Sequence, residues 1–171
     1  MVDQNDLPTS RPNPVVVAVT TAARGGLLWV LVAGLLALRP GWRGAAAGGL
    51  VAAAKGMVAA HLVAVIVRRR RPRTANLPAR RALPEHPDSP SFPSKHATVA
   101  AAFVTGVARH APEAGALVAP LAVVVTYGRV RTRVHWPTDV LGGIAIGVCV
   151  SAPVTRGKRG PRWREVARGG A

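Results

Sequence analysis

His135 and Asp139 stand four residues apart, the spacing that brings two side chains to the same side of a helix. Pro137 lies between them and suits a first helical turn, where its missing N–H costs nothing. His135 is therefore expected just before a helix and Asp139 within its first turn. A carboxylate so placed accepts the proton of one imidazole nitrogen, which fixes the tautomer and leaves the other nitrogen as a nucleophile or base. Arg129, at the end of the preceding apolar segment, is placed to bind an oxyanion. A second stretch, Ser91-Phe-Pro-Ser-Lys-His96, offers Ser94 as an N-cap after Pro93. The N–H groups of the turn that follows make an anion site, and His96 in that turn can protonate a departing oxygen. A third stretch, Arg68-Arg-Arg-Arg-Pro72, has the form of a lipid-headgroup cluster closing an apolar segment. One of its guanidiniums could clamp a phosphate on two oxygens. Singly, these features have ordinary explanations as helix caps and a stop-transfer run.

Five apolar segments would have to position them: Val15–Leu38, Gly44–Val67, Ser94–Ala108, Ala114–Tyr127 and Pro137–Val154. The first two are about two dozen residues each, roughly 36 Å as helix, enough for a ~30 Å hydrocarbon core. Arg24 interrupts the first and Lys55 the second, and no uninterrupted apolar run reaches 18 residues. A soluble bundle of this size needs helices with charged outer faces, whereas these are apolar around nearly their whole circumference. Small residues dominate, including Gly44-x3-Gly48 and Gly143-x3-Gly147, which permit close helix approach in lipid. The expectation is an all-α integral membrane bundle of about five transmembrane helices. It forms one domain over 15–155, with a polar tail at 1–14 and a basic, disordered tail at 156–171.

The composition excludes other classes. The 171 residues carry 23 Lys+Arg against 7 Asp+Glu, a net charge of +16, yet 49% are apolar and the mean hydropathy is +0.24. A nucleic-acid module keeps its cations on a polar exterior, and two Phe and one Tyr make a poor stacking platform. Cys149 is the single cysteine, so neither an intrachain disulfide nor a Cys-based zinc site is possible. With five crossings, the loops at 68–93 and 128–136 share one face with the N-terminus. The turns at 39–43 and 109–113 share the other with the C-terminus. Both faces are basic; discounting cations that serve a site puts the C-terminus in the cytoplasm.

Taken together, the three stretches resemble the tripartite signature of the type 2 phosphatidic acid phosphatase superfamily: K-x6-R-P, then P-S-G-H, then S-R-x5-H-x3-D. The chain matches Arg71-Pro72, then Pro93-Ser94 and His96, then Arg129, His135 and Asp139. The resemblance runs from about residue 44 to 150, and Val140-Leu-Gly-Gly143 is similar to the family too. It implies a metal-independent, cofactor-free phosphatase with its site at one membrane face, acting on a lipid phosphate or diphosphate. Phosphatidic acid, phosphatidylglycerol phosphate and polyprenyl phosphates or diphosphates are the candidates. It implies that His135 attacks phosphorus to form a phosphohistidine, Asp139 orients His135, and His96 protonates the departing oxygen. Arg71, Ser94, Lys95 and Arg129 would hold the phosphate. The alternative is a non-catalytic relative that binds anionic lipid or a protein. The setting expected is a bacterial inner (cytoplasmic) membrane, with anionic lipids as neighbours and no nucleic acid as partner.

The chain departs from the pattern in three places. Ala64 stands where the first-motif lysine belongs, Lys95 replaces the glycine of P-S-G-H, and Gly128 replaces the serine before Arg129. Lys55 cannot substitute, since sixteen helical residues separate it from Arg71, about 24 Å. Lys95 or one of Arg68 to Arg70 is expected to supply the missing cation. The family usually has six helices, one more than is read here. His61 and Cys149 are expected as packing residues within helices, His86 and His110 as exposed loop residues, and Arg24 and Lys55 as cations reaching toward an interface.

Overall fold

The structure, a computed structural model, describes residues 18, 21–23, 26–71, 89–131 and 134–152. They form α1 (Leu27–Ala37), α2 (Arg43–Val67), α3 (Lys95–Ala108), α4 (Pro112–Arg131) and α5 (Pro137–Ser151), with a 3-10 turn at Pro40–Trp42 between α1 and α2. Among the described residues the regular structure is wholly helical. Both tails, Arg24, Pro72 and the loop through Asp88, Arg133 and the side chain of Arg131 lie outside them.

Two boundaries differ from the apolar segments. Val15–Leu38 is not shown as one helix: α1 starts at Leu27, and Gly26 before it has φ +83°, a conformation that glycine alone adopts without strain. The fourth helix, in contrast, outruns its segment, from Pro112 to Arg131 rather than Ala114 to Tyr127. Pro112 is a good first-turn residue, and arginine propagates a helix well although it ends the apolar run. Arg129 is thereby held on a helix rather than a loop.

The bundle is built with small residues inside and large apolar ones outside. Helix α3 is central, with Ala97, Ala100, Ala102, Phe103 and Val107 completely buried, and it packs against α2, α4 and α5. Leu35, Leu38, Ile66, Leu117, Val123 and Leu141 are each more than 60% exposed. In water such an exterior is an unpaid hydrophobic cost; facing lipid it is a solvated surface. Helical stretches Pro40–Val67 and Pro112–Val130 are long and apolar enough to cross a membrane, and Leu27–Ala37 and Pro137–Ser151 are shorter apolar helices.

Of the two glycine pairs, Gly143 and Gly147 are both used. A Cβ at Gly143 would lie 2.8 Å from the Ser94 carbonyl oxygen, and one at Gly147 would lie 2.4 Å from that of Thr98. Helix α5 thus docks backbone to backbone on the start of α3. Gly48 likewise abuts α3 and His110, whereas Gly44 faces open space.

The loops segregate to two ends as the alternation requires. At one end Trp42 Nε1 donates to Glu113 Oε1 (2.9 Å), and Arg39 stacks 4.3 Å from the Trp42 ring centroid. At the other, Ser91 N–H donates to the Arg69 carbonyl (2.7 Å) and Arg71 Nη1 to that of Val134 (2.9 Å). Those bonds gather the three motif stretches into one place. Lys55 is exposed midway along α2, twelve residues from either end, or roughly 18 Å. A lysine stem does not span that distance, so reaching an interface does not account for it.

Candidate active site

The site is organised by the first turn of α5. Trp136 is its N-cap, Pro137 follows, and Asp139 occupies the third helical position. Asp139 is completely buried. Its Oδ2 accepts the Trp136 N–H (2.9 Å) and the Ser91 hydroxyl, and its Oδ1 accepts from Arg69 Nη1 (3.0 Å). The same Arg69 nitrogen also lies 2.8 Å from Thr138 Oγ1. The Asp139 carbonyl accepts the Ser94 N–H at 3.0 Å, so one residue ties the entries of α3 and α5 together.

His135 corrects the expected pairing. Its Nδ1 is 3.8 Å from Asp139 Oδ2 and does not hydrogen-bond it, but lies 2.7 Å from the Ser91 carbonyl oxygen. A carbonyl only accepts, so Nδ1 carries the proton and Nε2 keeps its lone pair. The tautomer is thus fixed by main chain rather than by the carboxylate. Asp139 acts at one remove, holding the Ser91 hydroxyl while the Ser91 carbonyl holds the imidazole.

His135 is 5% exposed. Its burial, then the positive Arg71 and Arg129, pull its pKa from 6.5 to about 4, outweighing the Ser91 carbonyl and Asp139. The ring is therefore neutral at physiological pH, as a nucleophile requires. Its unfolded-state pKa is higher, so the unfolded chain binds more protons between about pH 4 and 6.5. The corresponding stability is present above that window and is lost as pH falls through it. At pH 4 the wild type is expected to have lost about 3 kcal/mol relative to His135→Gln. Thermal unfolding in detergent at pH 7 and pH 4 reads this directly; equal losses in both proteins would mean that His135 titrates normally.

The remaining site residues fall into two groups. Ser94 is the N-cap of α3 in position but its hydroxyl makes no cap bond. It is completely buried, and Oγ has no hydrogen-bond partner among the described residues. A buried hydroxyl left so is costly unless a ligand satisfies it. Arg129 is 3% exposed and adds positive charge at His135, while His96 is half-buried in the first turn of α3. Arg71 is half-buried and largely committed to the loops: Nε and Nη2 bond the Ser89 carbonyl and hydroxyl (2.9 Å each), and Nη1 the Val134 carbonyl. Lys95 makes none of these bonds and lines a groove with Met57, Val58, His61 and Leu62. Arg68, Arg69 and Arg70 are all exposed, and of these candidates for the missing lysine Arg69 is the one bonded to Asp139. His61 and Cys149 are exposed too, so neither is the packing residue expected.

Two residues had no specific role from sequence. Ser91 contributes both a hydroxyl and a carbonyl, and its one signal was its place at the head of the Phe-Pro-Ser run. Arg69 was one of four equivalent arginines until the turn after α2 singled it out.

The family profile of the PAP2 superfamily matches residues 45–162, which takes in all three stretches. The chain belongs to the PAP2 superfamily. Decaprenylphosphoryl-5-phosphoribose phosphatase of Mycobacterium tuberculosis is 39% identical over 142 residues, covering 74% of this chain and 69% of that protein. The Escherichia coli (strain K12) protein named "Putative undecaprenyl-diphosphatase YbjG" is 42% identical over 72 residues; the match covers 40% of this chain and spans 36% of that relative. The crystal structure of a transmembrane PAP2 type phosphatidylglycerolphosphate phosphatase from Bacillus subtilis superposes with a TM-score of 0.59 at 25% identity, covering 81% of this chain and 72% of that one. This PAP2 chain is accordingly an integral membrane helical bundle, and its apolar exterior is the lipid-facing surface.

Proposed function

We propose that this PAP2 protein is a metal-independent phosphatase that releases phosphate from a lipid phosphate or diphosphate through a phosphohistidine on His135. The observation that carries the reading is the state of His135: buried, neutral, with Nδ1–H held by Ser91 and Nε2 left with its lone pair, beside Arg71 and Arg129. Nε2 attacks phosphorus in line, and the P–N bond forms as the bond to the lipid oxygen breaks. His96 gives that oxygen a proton, then takes one from a water whose oxygen displaces Nε2 and frees phosphate. Arg129, the Ser94 hydroxyl, the remaining N–H of Arg71, and Arg69 in place of the absent lysine at Ala64 stabilise charge on the equatorial oxygens. No residue is asked to hold a metal.

The names of the three similar proteins each describe a lipid with two phosphoryl groups, which supports a lipid substrate of that kind; the setting proposed for it is a bacterial inner membrane. The test is phosphate release by detergent-purified protein in the presence of chelator. The panel is phosphatidic acid, phosphatidylglycerol phosphate, and a prenyl phosphate and diphosphate. Release from at least one is expected. A folded protein inactive on all four would favour a relative that binds anionic lipid without turnover.

A further inference from the structure

Lys95 sets this chain apart from the P-S-G-H pattern, and it makes none of the bonds that organise His135. It lines a groove of about 290 Å³ whose other walls are Met57, Val58, His61 and Leu62. All four of those α2 residues are exposed, so the groove opens on the outer, lipid-facing side of α2. Apart from Lys95 and His61 its walls are apolar, which suits a hydrocarbon chain. Lys95 is nevertheless bonded in sequence to Ser94 and followed by His96, one Cα step of 3.8 Å from each. The groove is therefore the phosphate site's immediate neighbour.

The lysine's charge is unanswered there among the described residues. Among the described residues the carboxylates are Asp139, held by Arg69, Ser91 and Trp136, and Glu113, which bonds Trp42 at the far end. Neither pairs with Lys95. A cation set in apolar walls is costly until an anion joins it, and the scissile phosphate already has Arg129, Arg69, Arg71 and Ser94 around it.

We infer that this groove receives the substrate's second, non-scissile phosphoryl group at Lys95 and the start of its tail along Met57, Val58 and Leu62. The inference rests on the phosphatase reading above and narrows it. The preferred substrate is a lipid diphosphate, or a lipid whose terminal phosphate is followed by a phosphodiester, over a lipid with one phosphate. Lys95 is then a specificity-determining residue rather than a replacement for the lysine missing at position 64.

The experiment compares kcat/KM for farnesyl diphosphate and farnesyl phosphate, which share a tail, in the wild type, Lys95→Met and Lys95→Arg. The diphosphate-to-monophosphate ratio is internal to each protein and does not depend on the fraction folded. Lys95→Met is expected to lower that ratio about tenfold or more, and Lys95→Arg to retain most of it. Equal losses on both substrates would place Lys95 on the scissile phosphate and overturn the inference. An unchanged ratio with unchanged rates would overturn it too, leaving Lys95 on neither group. A wild type inactive on both farnesyl lipids but active on another lipid of the panel would overturn this inference alone, whereas inactivity on the whole panel would sink the phosphatase reading itself.

Discussion

His135→Gln is expected to lower kcat on any lipid phosphate this protein accepts by at least about 10⁴-fold. The glutamine keeps a polar group of similar reach that can still donate to the Ser91 carbonyl, so the loops at 89–91 and 134–136 retain their contact. It has no nucleophilic nitrogen, and the covalent step is lost. KM should change little, because Ser94, Arg129 and Arg69, the residues proposed to hold the phosphate, remain. Steady-state release with the better of the panel substrates separates the two parameters. A fall of tenfold or less would assign the attack to water or to another residue.

Asp139→Asn is expected to lower kcat by about 10²-fold, and the size of that loss is informative. Reversing a catalytic histidine's tautomer costs about 10⁴-fold where a carboxylate alone fixes the imidazole. Here the Ser91 carbonyl fixes it, so the tautomer survives the substitution. What is lost is the buried negative charge and one acceptor. Trp136 N–H, the Ser91 hydroxyl and Arg69 all donate to this carboxylate, and an asparagine must turn its amide toward at least one of them. Ser91→Ala, which keeps the carbonyl and removes only the hydroxyl, should cost about tenfold. Measured kcat values for the two variants, with thermal midpoints as a check on folding, test the arrangement. A 10⁴-fold loss in Asp139→Asn would mean that the carboxylate engages His135 directly during turnover. A loss under threefold would remove Asp139 from the mechanism.

The elements were largely legible because apolar runs, Pro137 and the N-cap position of Ser94 carry local information, whereas the start of α1 and both ends of α4 were missed. The grouping of the three stretches was legible as well, since alternating crossings force the loops after α2 and α4 to one end. What sequence could not reach was azimuth. Helices that are apolar all round give no moment to say which side faces inward, so His61 and Cys149 were read as packed and are exposed. Lys95 was read among the phosphate-binding residues, and it lines a groove with exposed residues of α2. The Ser91 carbonyl was invisible in another way. Spacing arguments concern side chains, and this acceptor is main chain 44 positions from the imidazole it holds.

The most direct measurement is to mix the protein with a lipid phosphate labelled on its terminal phosphoryl group, quench in base within the first turnover, and map the label. The mechanism proposed here predicts a base-stable, acid-labile phosphoryl group on His135, absent from His135→Gln. Label released as phosphate at the full wild-type rate, with none ever found on His135, would contradict it.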